Sequence, residues 1–277
     1  MIKKRISNIL FISILIVLAI LFAFPIFWTF TMVFKERSDI FTMTPPILPT
    51  HWTLANLKEA ISISGALNFF KNSLIVSIAT SFIVVVLSTT CGYGLRRLAG
   101  RSSKRLSQSI LMMRMVPIMV MTIPLFLIFK SLDLNDSLPS LILCYAALSL
   151  PLAIWLCMGF YGSIPDSIYE AAVVDGASEF RMFFNISLPL IANSIVVVVL
   201  LTFFFAWNEL ALAMVLINKD EYRTMAVGIR YWTADAFETP YARMAAAGII
   251  CIIPTIIITI MAQKYLVKGF TGGAIKG

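Results

Sequence analysis

The chain has 277 residues, of which 60% are hydrophobic and 13% charged, with 22 Lys and Arg against 14 Asp and Glu and a formal net charge of +8. Mean hydropathy is +0.92, whereas soluble domains carry about 25% charged residues. A soluble fold is excluded, and long apolar runs without two-residue alternation exclude a transmembrane barrel.

Cutting the sequence at its charges predicts an all-α integral membrane protein with six transmembrane helices over 8–33, 72–95, 106–129, 138–162, 190–216 and 244–264. Each reaches the roughly 20 residues that a helix needs to cross the hydrocarbon. Lys3-Lys4-Arg5 precedes the first run as it would in a secretory signal. That run is too long and lacks a small-x-small cleavage site, so it is read as an uncleaved span. Pro45, Pro46 and Pro49 break the outer segment 35–71, and Leu54, Leu57, Ile61 and Ile63 predict a short amphipathic helix on the membrane surface. The turn Arg96–Arg105 is basic and reads as a topology anchor. The short turn 130–136 predicts antiparallel packing of the third and fourth spans. Pro25, Pro117, Pro124, Pro151 and Pro254 lie inside spans and predict bends.

The distribution of Lys and Arg sets the orientation. With both termini cytoplasmic, the inner segments hold 12 bases and four acids, and the outer segments nine of each. Arg114 and Glu209 cancel inside the membrane, so the whole +8 sits on one side. The basic balance therefore reports topology, and a nucleic-acid partner is not expected. Cys91, Cys144, Cys157 and Cys251 form no Cys-x-x-Cys pair, and His51 is the single histidine. Small packing residues are expected there, with no metal site and no disulfide framework.

The segment 163–189 interrupts the fourth and fifth spans and carries Asp166, Glu170, Asp175 and Glu179 against Arg181 alone. Ser163 and Asp166 form a plausible capping box, with Pro165 in the first turn. A short helix is expected through Ile168, Glu170 and Ala172, with Ile164, Ile168, Ala171 and Ala172 near one face. Gly176 supplies the positive φ that ends it, Ser178 caps a second short helix, and Pro189 marks the bend into the fifth span. A connector lying on the negative inner leaflet would be basic. An acidic one fits docking to a protein.

The pattern Glu170-Ala171-Ala172, three residues, Gly176, nine residues, Ile186, one residue, Leu188-Pro189 resembles the signature loop of ABC-importer permeases. At ordinary residue frequencies, its chance occurrence in one window is on the order of one in 10^8. Asp175-Gly176-Ala177, Asn72-Ser73-Leu74 and Trp207-Asn208-Glu209 are similar to the same family, and the tail 265–277 resembles that of maltose-type, MalG-like sugar permeases. The resemblance implies a single permease domain over 1–277 with the type I importer fold and a cytoplasmic coupling loop at 163–189. It also implies outer loops 35–71 and 218–243 and a cytoplasmic tail. The implied partners are a homologous permease in a heterodimer, two copies of a cytoplasmic ATPase that binds ATP and Mg, and an external solute-binding lipoprotein or periplasmic protein. This chain itself would be no enzyme and would hold no cofactor. It has no Gly-x-x-x-x-Gly-Lys-Ser/Thr loop for nucleotide phosphates.

Sugars are recognised by polar side chains and aromatic faces. Trp207, Asn208 and Glu209 in the fifth span, Tyr145, Ser149 and Trp155 in the fourth and Arg114 in the third are candidates for the translocation path. Tyr231, Trp232, Phe237 and Tyr241 give the outer loop the aromatic content of a docking surface for the binding protein. The Gly269, Gly272, Gly273 and Gly277 tail is expected to be too flexible to fold alone. The alternative is a gradient-driven secondary transporter of a small polar solute, which would use mid-membrane acids. Glu209 is the one acid within a span; it reads as a solvated cavity residue, distant in depth from Arg114.

Overall fold

In the computed structural model, backbone is described for residues 2–62, 65–98, 101–234 and 241–274. Side chains are described except at 1–7, 63–64, 99–102, 104, 231–240 and 266–277. Among the described residues the secondary structure is helical throughout. Four helices exceed 20 residues: α1 (Ile2–Val33), α4 (Ala66–Arg97), α7 (Leu138–Gly162) and α14 (Tyr241–Ala274), with α2 (Arg37–Ile40) and α3 (Ala55–Ser62) between the first two. A fifth apolar stretch, Glu179–Asn208, is assembled from α9 (Glu179–Arg181), a π-helical turn (Met182–Ser187), α10 (Leu188–Leu190) and α11 (Ala192–Asn208). All five are long and apolar enough to cross a membrane.

The third expected span is not one straight helix. α5 (Arg101–Met112) runs into a 3-10 turn (Met113–Met115), and α6 (Ile118–Ser131) follows at an 88° bend. Pro117 stands at the N-cap of α6 with ψ 133°, so no helical hydrogen bond crosses that point. The proline was visible in the sequence; hydropathy, which ignores direction, could not give the bend. Arg114 lies on the 3-10 turn and is exposed.

The helices form two units. One comprises residues 1–66 and 229–253. There Val33, Ala60, Ala245 and Ala246 are buried together, with Leu57 packed on them. The short amphipathic helix expected here forms as α3; it covers a protein core with Leu57 and Ala60, while Ile61 and Leu54, just before the helix, are exposed, and Ile63 falls outside the described residues. Asn56 Nδ2 donates to the carbonyls of Val33 and Lys35, each at 2.9 Å, which tethers α3 to the end of α1. Asp39 accepts from the Thr50 amide (2.9 Å) and hydroxyl (2.6 Å). The Thr50 hydroxyl and then its amide hold the Asp39 carboxyl below the usual range.

The second unit comprises 67–228 and 254–277. α7 runs through its centre, burying Leu141, Cys144, Tyr145, Ala146, Ala153, Cys157 and Tyr161. α4 meets it at Gly92, where a Cβ would fall 2.7 Å from Cys157 Cβ and 2.9 Å from the Met158 nitrogen. Small residues permit such close approach where burial against lipid gives no drive to associate. The turn after α6 is clipped to the segment after α12 (Ala211–Leu216): the Asp136 carboxylate accepts from the amides of Asn218 and Lys219. Asp136 itself takes φ 52°, a conformation that Asp tolerates better than most residues. The backbone of α14 remains helical through Ala274, past Gly269, Gly272 and Gly273. This corrects the expectation of a tail that does not fold: once a long helix is nucleated, each added residue gains a hydrogen bond, which offsets about 1 kcal/mol per glycine. The four cysteines are free thiols.

Candidate functional site: an elbow clamped to the end of a long helix

Between α7 and α11 the chain makes two short arms. The first, α8 (Asp166–Val174), begins after Pro165, which occupies the N-cap position without a side-chain cap bond. The expected capping box does not form. Ser163 ends α7 and its hydroxyl donates back to the Phe160 carbonyl at 2.7 Å. α8 buries Tyr169 and Ala172 beside Ile164, while Ile168 and Ala171 are exposed. The expected apolar face is therefore rotated, because Tyr169 contributes more apolar area than Ile168 and packs inward.

Gly176 takes φ +72°. Its amide donates to the Val173 carbonyl at 3.0 Å, and the Ala177 amide to the Ala172 carbonyl at 2.9 Å. These two bonds are the Schellman closure of a helix, which requires a left-handed residue at this place. A Cβ on Gly176 would meet nothing within 4 Å, so the demand for glycine comes from backbone conformation alone. Ser178 then accepts from the Arg181 amide at 3.4 Å and starts the second arm. The second arm continues through the π-helical turn, an arrangement that is uncommon and frequent at functional sites. Ile186 and Leu188 are half-buried there and Pro189 is exposed; the chain turns at Ile191 into α11.

Two of the four acids are paired within the chain. Arg96 Nη2 donates to Asp166 Oδ1 at 2.6 Å. Arg97 pairs with Glu179, whose other oxygen accepts from the Tyr93 hydroxyl at 2.9 Å. The ring of Tyr93 packs against Tyr161 (5.5 Å between centroids) and Phe183 (5.1 Å). The basic end of α4 thus grips both arms of the elbow, a role beyond that of a topology anchor. What the elbow presents outward is Glu170, Ala171, Val174, Asp175 and Phe180, with Val174 87% and Phe180 78% exposed. Exposed apolar side chains, together with two carboxylates unpaired among the described residues, give the composition of a docking surface.

The candidates for a solute path do not converge on one place. Tyr145 and Glu209 come together: the Tyr145 hydroxyl donates to Glu209 Oε2 at 2.7 Å. Glu209 is buried, and it also accepts from the amides of Leu212 (3.0 Å) and Ala213 (3.2 Å). Its carboxylate satisfies the orphan amides where the chain breaks between α11 and α12. This corrects the reading of Glu209 as a solvated cavity residue. Trp207 is buried between Phe203, stacked at 5.6 Å, and Phe70. Asn208 is exposed and bonds the Phe204 carbonyl, and Trp155 is 40% exposed. Arg114 and Ser149 share a cavity with Thr202 and Phe205, and Arg114 continues into a groove of about 570 Å³ beside Pro117, Met121 and Pro151. The Ser149 hydroxyl is buried and unpartnered.

Of the aromatic residues expected to dock a partner, Phe237 lies outside the described residues, as do the side chains of Tyr231 and Trp232. Tyr241 is exposed and lies 6.1 Å from the Phe41 ring. The loop after α12 is instead fixed by Asn68, which carries no sequence signal, and by Asn72 and Ser73, which stand out in the sequence by resemblance alone. Asn68 Nδ2 donates to the Glu221 carbonyl (2.7 Å), and Asn72 Nδ2 to those of Glu221 (2.8 Å) and Arg223 (2.9 Å). Ser73 Oγ accepts from the Met225 amide at 2.8 Å. Among the described residues, no group of three His, Cys, Asp or Glu side chains stands together as metal ligands would.

Comparison with known proteins agrees with this architecture. The chain is 29% identical over 280 residues to the inner membrane ABC transporter permease protein YcjP of Escherichia coli K12, covering 99% of each. It is 32% identical over 254 residues to the trehalose transport system permease protein SugB of Mycobacterium tuberculosis, covering 91% of this chain and 92% of that one. Its fold matches a chain in the crystal structure of a bacterial ABC transporter for the acidic polysaccharide alginate, with a TM-score of 0.80 at 21% identity, covering 95% and 97% of the two chains. Residues 85–272, which include the elbow and the whole helical run around it, match one family description. The chain belongs to the family of binding-protein-dependent transport system inner membrane components.

Proposed function

We propose that this chain is the membrane-spanning permease subunit of an ATP-driven importer that takes up a carbohydrate delivered by an external solute-binding protein. The single observation that carries the coupling is the elbow: a glycine-closed projection with Glu170, Val174, Asp175 and Phe180 turned outward. Its seven fixed positions match the loop by which such permeases are recognised. A family of inner-membrane components, together with relatives named for trehalose transport, supports the carbohydrate reading.

In this reading six spans cross the membrane, the bent pair α5–α6 counting as one, and both termini face the cytoplasm. The elbow then lies on the cytoplasmic side and enters a cleft on a separate ATPase, which binds ATP and Mg. The chain pairs with a homologous permease and two ATPase copies, and it catalyses no covalent reaction itself. The solute passes by Arg114, which lines both the apolar groove and the smaller cavity where the buried Ser149 and Thr202 supply polar groups. Glu209 and Tyr145 hold the broken fifth span in shape beside it.

Uptake measured in cells lacking this chain, across a panel of labelled oligosaccharides, tests the proposal. Loss of uptake of one saccharide class, restored by the wild-type chain and dependent on ATP, is the expected result. Uptake driven by an ion gradient through the purified chain alone would refute it.

A further inference from the structure

Of the four helices longer than 20 residues, α4 is the one with no proline: α1 contains Pro25, α7 Pro151 and α14 Pro254. At 1.5 Å per residue, its 32 residues make an unbroken rod about 48 Å long. Both of its ends are fastened to other parts of the same unit. At one end Arg96 holds Asp166 in the first arm of the elbow, and Arg97 with Tyr93 holds Glu179 in the second. Tyr93 also packs on Phe183 of that second arm, and the Arg97 guanidinium lies 5.9 Å from the Tyr169 ring of the first.

At the other end, Asn68 and Asn72 bond the carbonyls of Glu221 and Arg223, and Ser73 receives the Met225 amide. Phe69 closes the joint. Its ring fills the space where a Cβ on Gly228 would stand, 2.3 Å away. The fastened segment follows α12, the part of the chain that the proposed topology puts on the external side. Close-packed protein transmits displacement rather than absorbing it. A continuous helix locked at both ends by directional bonds and ring packing is therefore placed to move its two attachments together.

We propose that α4 is the element that carries motion of the elbow across the membrane to the segment Glu221–Met225, with Tyr93, Arg96 and Arg97 as positioning residues at one end and Asn68, Asn72 and Ser73 at the other. The inference rests on the reading of the elbow as the ATPase contact and names the route out of it. Bent and broken spans around α4 change shape; α4 keeps its length. Arrival of the loaded binding protein at the external segment is thereby reported to the ATPase, and ATP-driven closure is reported back along the same rod.

The test uses the reconstituted importer, with both permeases, the ATPase and the binding protein, and reads the ratio of ATP hydrolysis with solute-loaded binding protein to that without. Arg97→Glu, which repels Glu179, is expected to lower this ratio at least threefold while the ATPase still co-purifies. The charge swap R97E with E179R is expected to restore it. Asn72→Ala, at the far end of the rod, is expected to produce the same loss. Unchanged ratios in R97E and N72A, or a swap that restores nothing, would overturn the proposal. If R97E does not assemble, Tyr93→Phe, which keeps the ring, replaces it and is judged by the same criterion. Gly176→Val separates the two levels. If it lowers the ratio while R97E and N72A do not, the rod fails and the elbow stands; if none of the three changes the ratio, the elbow reading itself has failed.

Discussion

Replacing Gly176 by valine isolates one physical term. Gly176 has φ +72°, and a Cβ there would touch nothing within 4 Å. Within this chain the effect therefore comes from forcing a substituted residue into the left-handed region and not from a Cβ clash. That conformation costs an ordinary residue roughly 1–2 kcal/mol, and a β-branched residue sits at the upper end. A strain of about 2 kcal/mol lowers the population of the native elbow by about 30-fold relative to unclosed alternatives. Alanine should fall between, and asparagine, which tolerates this region, should come closest to glycine. The assay is solute uptake per ATP hydrolysed in proteoliposomes carrying the complete importer. The series Gly, Asn, Ala, Val should show a graded loss of coupling, with the amount of assembled permease constant. Equal coupling in all four variants would refute the argument that the Schellman closure sets the elbow's shape.

Gly92→Ala would place a Cβ 2.7 Å from Cys157 Cβ and 2.9 Å from a backbone nitrogen, so it should destabilise the α4–α7 contact by about 1–3 kcal/mol. Gly94→Ala, with nothing within 4 Å, is the control and should be neutral or slightly stabilising; thermal denaturation followed by size-exclusion fluorescence distinguishes them. Glu209→Ala strips partners from the Tyr145 hydroxyl and two amides, at about 1–3 kcal/mol for each buried group left unpaired. Glu209→Gln, which keeps an acceptor, should cost much less, and equal melting of the two variants would contradict the capping role. Burial opposes ionisation of Asp136, yet the amides of Asn218 and Lys219 win and hold its pKa below the usual value. A depressed carboxylate stabilises the fold above its unfolded pKa of about 3.9 and loses that contribution as pH falls through the folded value. Asp136→Asn should therefore be less stable than wild type at pH 7, and the difference should shrink below about pH 4; a gap that widens in acid would contradict this.

How much was legible depended on the range of the interaction. The positive φ of Gly176 and the cap at Ser178 are decided within a few residues, and the sequence displays them. Pro117 announced a break, while its 88° direction depends on how α5 packs on α7 and α6 on α12. The Arg96–Asp166 and Arg97–Glu179 pairs join residues 70 and 82 apart in sequence. Each partner already had a sufficient local explanation, topology for the bases and docking for the acids, so nothing in the sequence prompted their pairing. Glu209 was misplaced for a related reason. Hydropathy gives a depth for a charge but not its donors, and three donors converge on this one. Asn72 and Ser73 stood out by resemblance; their work, holding the loop after α12, is visible only in three dimensions.

The central claim is that the elbow is the surface on which another polypeptide acts. A photo-reactive residue substituted for Val174, which is 87% exposed at the tip of the first arm, tests it most directly. Irradiation of cells expressing the whole importer should give one dominant adduct between this chain and the ATPase, with yield changing when ATP is trapped. An adduct with the external binding protein, or none with the ATPase, would contradict the account.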